Sequence, residues 1–370
     1  MDDARKADGN IEDTNAASQP DLRLSIIVPA RNEAASLGAC LDSLTAQSEP
    51  GFALGLQWEL IVIDDDSADS TRQIAQTAAA GHPGVIVLTA PPLDLTGRGG
   101  FTGKTNACWF GAQKSRGASL LFTDADTVHQ SGDLSRALHE AGKYRASLLS
   151  YSPRQIVSGF WQHAVMPLVF SELASVYPPK QVSSPAYPLA AANGQFLLVE
   201  RDAYFSVGGH RLVGREILED VALARNIKRA KYGIRFRYAP DALATRMYKT
   251  LPEMIEGWTK NLALLFPQPL LLAFWRVLDL LLFFGLPAIA LAFATNPARP
   301  KWQSLVILAI WIRTLFRFYG RSARSNFPAP DVAISILGVP LFIWLLVRSS
   351  LHHQVSKSVA WKGRSYKTGQ

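Results

Sequence analysis

Short apolar runs alternate with amphipathic stretches from Leu24 to about residue 123. Leu24–Val28, Leu60–Ile63, Val85–Leu88 and Ser119–Thr123 have the length and continuity of buried strands. Between them, 34–47, 71–80 and 104–115 carry apolar residues at helical spacing, as with Leu37, Leu41 and Leu44 on one face. Alternation of this kind predicts an α/β domain with a mostly parallel sheet and helical crossovers. From residue 147 the pattern loosens. Leu148–Tyr151 and Gln195–Val199 are strand-like, and the aromatic, Pro-containing stretch Phe160–Pro188 joins them and is expected to build the acceptor side of a cleft.

Three longer apolar segments follow, at about 270–294, 302–318 and 332–347. A membrane span needs roughly 17–25 apolar residues. The first is long enough and the third is short but uncharged within, whereas the middle one carries Arg313 and Arg317 on one face, costly in hydrocarbon. Three spans would leave the basic tail 348–370 opposite the N-terminal domain, against the positive-inside tendency. Two spans with an interfacial middle helix are therefore expected. The division that follows is a disordered polar tail over 1–22, a catalytic domain over 23–262, membrane helices over 263–350 and a basic cytoplasmic tail over 351–370.

Composition supports that division. A mean hydropathy of +0.07 is high for a wholly soluble enzyme, and the apolar excess lies after residue 262. The formal charge of +8 suits nucleic acid, anionic lipid or anionic substrate. Zinc spacings and nucleic-acid motifs are lacking, and the basic residues crowd around the C-terminal apolar segments, so a membrane surface is favoured over nucleic acid. The two cysteines, Cys40 and Cys108, are far apart and read as core residues of a reducing compartment. The N-terminal stretch has no apolar h-region, so no signal peptide is expected.

The chemistry concentrates at strand ends. Asp124-Ala125-Asp126 closes the apolar run Ala118–Phe122, where an open α/β sheet binds ligands. Paired carboxylates there suit Mg²⁺ or Mn²⁺ carrying a diphosphate, although such a string is in most proteins a solvated turn. Asp64-Asp65-Asp66 follows a second strand, and Asp65 is placed to accept the N3–H of uracil, while Asp69 and Ser70 read as caps of the next helix. Pro29-Ala30-Arg31-Asn32-Glu33 closes the first strand. Its backbone can pack beside a base and ribose with Arg31 toward phosphate, or Asn32 merely caps and Arg31 is solvated. Gly97–Gly103 with Lys104 and Asn106 leads into a helix N-terminus that can approach phosphate, or forms a plain surface loop. Glu219-Asp220 opens a helix, where acids complement the dipole. A sugar transfer with inversion needs a general base, which Asp220 can supply. Glu256-Gly257-Trp258-Thr259-Lys260-Asn261 precedes the first apolar segment, with Trp258 either an interfacial anchor or a wall of the acceptor side.

In this order the motifs resemble the family 2 glycosyltransferases, inverting enzymes of the GT-A fold. Pro29–Glu33, Asp64–Thr71 (with Asp66 where the pattern has Gly), Gly103-Lys104, Asp124–Asp126, Asn193-Gly194, Gly208-Gly209 and Glu219-Asp220 match the family's elements. The Gln-x-x-Arg-Trp element of processive synthases is replaced by Glu256–Asn261. With the tail Trp361-Lys362-Gly363-Arg364-Ser365-Tyr366, this resembles the membrane-bound lipid-modifying branch, closest to the diaponeurosporenoate and hopanoid-associated glycosyltransferases.

The resemblance implies a UDP-sugar donor held by Pro29, Arg31, Glu33, Asp64, Asp65, Lys104 and Asp124. It implies Mg²⁺ or Mn²⁺ on Asp126 with Asp124, Asp220 as base, and Glu219, Trp258 and Lys260 on the side of an apolar lipid acceptor. The expected location is the cytoplasmic face of the cell membrane. A polyprenyl-phosphate sugar transferase is the nearest alternative; a nucleotidyltransferase or a non-catalytic membrane scaffold would be of another class.

Overall fold

The computed structural model describes residues 22–47, 49–93, 100–355, 358–361 and 364–367. The expected disordered tail 1–22 and most of the Gly-rich loop before Gly103 lie outside them, apart from Leu22 and residues 100–102.

The alternating first half is realised as β1 (Leu24–Ala30), α1 (Leu37–Thr45), β2 (Trp58–Asp64), α2 (Thr71–Gly81), β3 (Val85–Thr89), α3 (Gly103–Lys114) and β4 (Ser119–Phe122). Then come β5 (Thr127–His129), α4 (Asp133–Tyr144), β6 (Leu148–Ser152), β7 (Arg154–Gln155), α5 (Phe160–Val176), α6 (Pro179–Ser183), β8 (Leu197–Glu200), α7 (Arg201–Ser206), α8 (Gly209–Leu212), α9 (Glu219–Arg229), β9 (Ile234–Tyr238) and β10 (Leu243–Thr245). The C-terminal part holds α10 (Leu251–Leu265), α11 (Pro269–Thr295), α12 (Lys301–Ser322), α13 (Ala329–Val355) and a hairpin of β11 (Ser358–Trp361) and β12 (Arg364–Lys367).

The main sheet runs β3-β2-β1-β4-β8-β6-β9. Its first four strands are parallel, and the inner ones, β1, β2 and β4, are buried on both faces, as their unbroken apolar sequences require, while β3 at the edge is half-buried. β8 is antiparallel to both β4 and β6, so the sheet is mixed. From β1 the chain winds outward to β2 and β3, then returns to β4 on the other side of β1. The C-terminal ends of β1 and β4 therefore flank a topological switch point, the place where such sheets hold ligands. A small sheet, β5-β10-β7, sits beyond that edge.

One core packs α1, α2 and α4 on one face of the sheet, and a second packs α3, α7 and α9 on the other. The third core joins α5 and α10 to α11, α12 and α13. The stretch expected to be a connector is mostly the 17-residue helix α5, which tolerates Pro167 inside it. Its composition hid it, because ten of its residues are buried and no amphipathic stripe remains to be seen. By length and composition, α11 and α13 are apolar enough to cross a membrane.

Candidate functional site

A cleft of about 280 Å³ opens at the switch point. The loop after β1 supplies Pro29, Arg31 and Glu33, the end of β2 supplies Asp65, and the first turn of α3 supplies Lys104. Asp124 and Asp126 reach it from the end of β4, Glu219 and Asp220 from the first turn of α9, and Lys260 from α10.

The loops after β1 and β2 are zipped to each other. Ala30 carbonyl accepts from Asp65 N at 2.8 Å, Arg31 donates to the carbonyls of Asp65 and Asp66, and Thr71 Oγ1 accepts from Glu33 N at 2.7 Å. Arg31 thus clamps the loop that carries Asp65 while also lining the cleft. Asp66 takes φ of 57°, the left-handed region that a glycine occupies without strain and Asp tolerates better than most residues.

Lys104 joins the two acidic groups of the cleft. Its Nζ lies 2.8 Å from Asp124 Oδ1 and 2.9 Å from Glu219 Oε1. Helix α3 is fixed for this by a capping box between Thr102 and Thr105. Burial lowers Lys104, but the Asp124 and Glu219 charges outweigh it and hold the ammonium well above the ordinary lysine range. Burial raises Glu219, yet Lys104 and Lys260 reverse the shift and keep it ionised below the usual range. Lys260 itself is lowered by burial, which Glu219 only partly offsets.

Asp220 differs from its neighbour. Burial pushes it up, Glu219 adds to the push, and it titrates at about 6. Its Oδ2 accepts from Gly194 N at 2.8 Å and its Oδ1 from its neighbour Val221 N at 2.7 Å, which fixes the carboxylate plane. Glycine at position 194 leaves this space to the Lys104 ammonium: a Cβ there would stand 2.9 Å from Lys104 Nζ and 3.5 Å from Asp220 Oδ2. Two adjacent carboxylates with opposite shifts are how a site separates an ion-pairing acid from one that exchanges protons near neutrality.

Behind Asp124-Ala125-Asp126 lies a polar network that the sequence did not announce. Thr127 Oγ1 donates to Asp124 carbonyl at 2.7 Å, and Thr245 Oγ1 to Asp126 carbonyl at 3.3 Å. Thr123 Oγ1 donates to Gln195 carbonyl at 2.8 Å and meets His129 Nε2 at 3.1 Å; His129 Nδ1 meets Asp133 Oδ2 at 2.7 Å. Thr123, Thr127, His129, Asp133, Gln195 and Thr245 are all buried, and Asp124 and Asp126 are half-buried above them. The one visible signal was His129 four residues before Asp133, a spacing common on helices.

Two expected site residues fall elsewhere. Asp64 is buried at the end of β2, where its carboxylate accepts from Ser67 N at 3.3 Å and pairs with Arg72 at 3.8 Å; it shapes the turn and does not line the cleft. Trp258 does not form an acceptor wall. It is 2% exposed, donates toward Met166 Sδ at 3.4 Å and packs on Phe170 and Tyr248. The cleft surface at that point is Tyr248, with Met247 beside it.

Among the described residues no three His, Cys, Asp or Glu side chains form a metal cage. Two cleft carboxylates, Asp124 and Asp126, do fit a hard cation that completes its shell with phosphate and water, the usual habit of Mg²⁺.

Acid-tipped parallel strands meeting a helix-borne carboxylate across a switch point are the apparatus of a GT-A glycosyltransferase, and the chain is a glycosyltransferase. Residues 25–208 match the model of Glycosyl transferase family 2, and the chain belongs to that family. It is 28% identical over 357 residues to the 4,4'-diaponeurosporenoate glycosyltransferase of Staphylococcus haemolyticus, covering 93% of this chain and 88% of the relative. The Staphylococcus aureus protein of the same name is 27% identical over 248 residues, 65% of this chain and 60% of its own length. Among solved structures, mannosyltransferase PcManGT from Pyrobaculum calidifontis, in complex with GDP-Man and Mn2+, aligns with a TM-score of 0.51 at 17% identity. That alignment covers 90% of this chain and 88% of the mannosyltransferase, and it establishes a shared fold.

Proposed function

We propose that the chain transfers a sugar, with inversion, from a UDP-sugar to an apolar lipid acceptor at the cytoplasmic face of the cell membrane. The observation that carries the reading is the placement of Asp220, titrating at about 6, in one cleft with Asp65, Asp124 and Asp126. Asp65, at the foot of the cleft, accepts the N3–H of uracil; Pro29 packs beside the base, and Arg31 holds the loop that presents Asp65. Asp126 with Asp124 would hold Mg²⁺ or Mn²⁺. That cation, when bound, neutralises charge developing on the leaving UDP.

An acceptor hydroxyl attacks the anomeric carbon from the face opposite the diphosphate. The new C–O bond forms as the sugar–phosphate bond breaks, the hydroxyl proton passes to Asp220, and UDP departs with the bonding pair. Lys104 keeps Glu219 ionised beside Asp220, which raises the affinity of Asp220 for that proton. Lys260 lies on the acceptor side of the cleft.

The names of the two relatives favour a second reading, in which the acceptor is a carotenoid acid. A carboxylate has no proton to give, so Asp220 would then orient the acceptor and Lys260 would balance its charge. Matched acceptors distinguish the two. With purified protein, UDP-sugar and Mn²⁺, a carotenoid alcohol should be glycosylated with an acid limb near the Asp220 value, and a carotenoid acid without one. Transfer to neither acceptor overturns the lipid assignment.

A further inference from the structure

Helices α11 and α13 are both apolar enough to be spans, but their surroundings differ. Half of the most apolar stretch of α13 is buried inside the protein, against 11% for α11. Helix α12 carries Arg313, Arg317 and Arg321, and hydropathy alone sets it aside as interfacial.

An ion-pair cluster fixes the level of α11 and α12. Glu172 Oε1, on α5, pairs with Arg276 of α11 at 3.0 Å and with Arg321 of α12 at 3.3 Å. Asp279 of α11 pairs with Arg276 at 3.1 Å, Arg317 at 3.3 Å and Arg321 at 2.9 Å. The first turn of α5 is in turn fastened to the cleft wall, since Gln162 Nε2 donates to Tyr248 carbonyl at 3.3 Å. The early part of α11 and the late part of α12 therefore sit side by side against the catalytic domain. A chain that leaves that domain along α11 comes back to it along α12.

Beyond the cluster, Leu280–Thr295 and Lys301–Phe316 extend as an antiparallel pair for roughly 24 Å, at about 1.5 Å per residue. Leu281, Phe284, Leu291, Trp302 and Leu305 project from it with 58–66% exposure, a surface suited to lipid. The connecting turn brings Asn296, Arg299 and Lys301 together. Cations are expensive in hydrocarbon, so this turn must reach water or headgroups. The apolar height is about 24 Å on α11 and about 18 Å between Lys301 and Arg313 on α12, short of the roughly 30 Å hydrocarbon core, a mismatch that snorkelling of Arg313 toward one face and Lys301 toward the other, with local thinning, accommodates.

Helix α13 is held at both ends by the catalytic domain. Near its start Asp331 pairs with His163 at 2.8 Å, and near its end His353 Nε2 donates to the carbonyl of Lys260 at 2.8 Å. Lys260 lines the cleft, and His163 adjoins Gln162, which is bonded to the cleft residue Tyr248, so both partners belong to the catalytic domain and lie on its side of the membrane. Between these ends the helix runs roughly 33 Å, longer than the hydrocarbon is thick. A crossing helix could not keep both partners. Between these ends, Gly338 lies so close to Ala164 that a Cβ would collide with its carbonyl oxygen, and Ser349 Oγ accepts from Ala263 N at 2.9 Å.

We propose that α11 and α12 are the membrane-crossing pair, with the turn 296–300 on the far face, and that α13 lies along the near surface without crossing. This rests on the reading of the chain as membrane-associated, and it replaces the assignment of α11 and α13 as the two spans. It places Arg313, Arg317, Arg321 and Arg324 on the cytoplasmic side, in accord with the positive-inside tendency.

The test uses the full chain with single cysteines at three exposed positions, Ala298→Cys, Ala323→Cys and Val355→Cys. Cys40 and Cys108 can stay, because both are buried. Intact spheroplasts are treated with a membrane-impermeant maleimide, and labelling is read on the carbonate-washed membrane pellet. Only Ala298→Cys should react before lysis, and all three after it. Labelling of Ala323→Cys from outside would show that α12 does not return, labelling of Val355→Cys that α13 crosses, and labelling of none that the hairpin does not span; each overturns the proposal. Release of the chain by carbonate would instead refute membrane association itself.

Discussion

Replacing Asp220 by Asn should move activity and stability in opposite directions. The amide matches the carboxylate in shape and can keep a bond to Gly194 N–H, but it accepts no proton. Loss of a positioned general base costs about 10²- to 10⁴-fold in rate. The stability change follows from titration. The native carboxyl is raised from 3.8 to about 6. A carboxyl with a raised native value carries no penalty below its unfolded value, and its full penalty above its native one. At about 1.36 kcal/mol per unit the penalty approaches 3 kcal/mol, and partial contact with cleft water reduces it to about 1–2 kcal/mol. The Asn variant should therefore be more stable than the parent by that amount at about pH 7.5, with the advantage shrinking from about pH 6 to about pH 4. Denaturant unfolding in detergent at a series of pH values reads the stability, and UDP release with a hydroxyl-bearing lipid acceptor reads the rate. A variant that keeps activity within about threefold, or that is destabilised above pH 6, refutes the role given to Asp220.

Three further substitutions separate parts of the site. His129→Asn breaks the buried link between Asp133 and the loop of Asp124 and Asp126; Mn²⁺ affinity in the presence of UDP should fall by about 10- to 100-fold, read by calorimetry, and an unchanged affinity would make the network merely structural. Asp66→Val should cost about 1–2 kcal/mol because a β-branched residue is forced into the left-handed region, whereas Asp66→Gly should stay within about 0.5 kcal/mol; equal losses in unfolding experiments would show that the turn is not strained. Trp258→Ala should cost about 3–5 kcal/mol as a core cavity while the KM for the sugar donor stays unchanged, and a fully stable variant with an altered acceptor KM would return Trp258 to the acceptor side.

The parallel half of the fold was legible because its strands are continuous apolar runs and its acids stand at their ends. Pro29, Arg31, Glu33, Asp65, Lys104, Asp124, Asp126, Glu219, Asp220 and Lys260 all line the cleft. What the sequence withheld was decided by tertiary packing. Asp64 and Asp65 are alike on paper, and strand alternation alone turns one into the turn and the other into the cleft. Trp258 next to an apolar segment resembles an interfacial anchor until α5 covers it. The support for Asp124 and Asp126 comes from threonines, His129 and Gln195, ordinary residues whose burial together is a property of the fold. Likewise, hydropathy ranked α13 above α12 as a span because it cannot register that α5 and α10 cover one side of α13, or that Glu172 and Asp279 pair the arginines of α12.

Transfer of a sugar to lipid is tested most directly by following the sugar. Membranes carrying the chain, incubated with labelled UDP-glucose, UDP-GlcNAc or GDP-mannose and a lipid extract, should yield organic-soluble label from a UDP-sugar. That label should require Mg²⁺ or Mn²⁺ and be lost with Asp126→Ala. Label confined to free sugar or to a water-soluble polymer, or organic-soluble label that survives the loss of Asp126, would contradict the account.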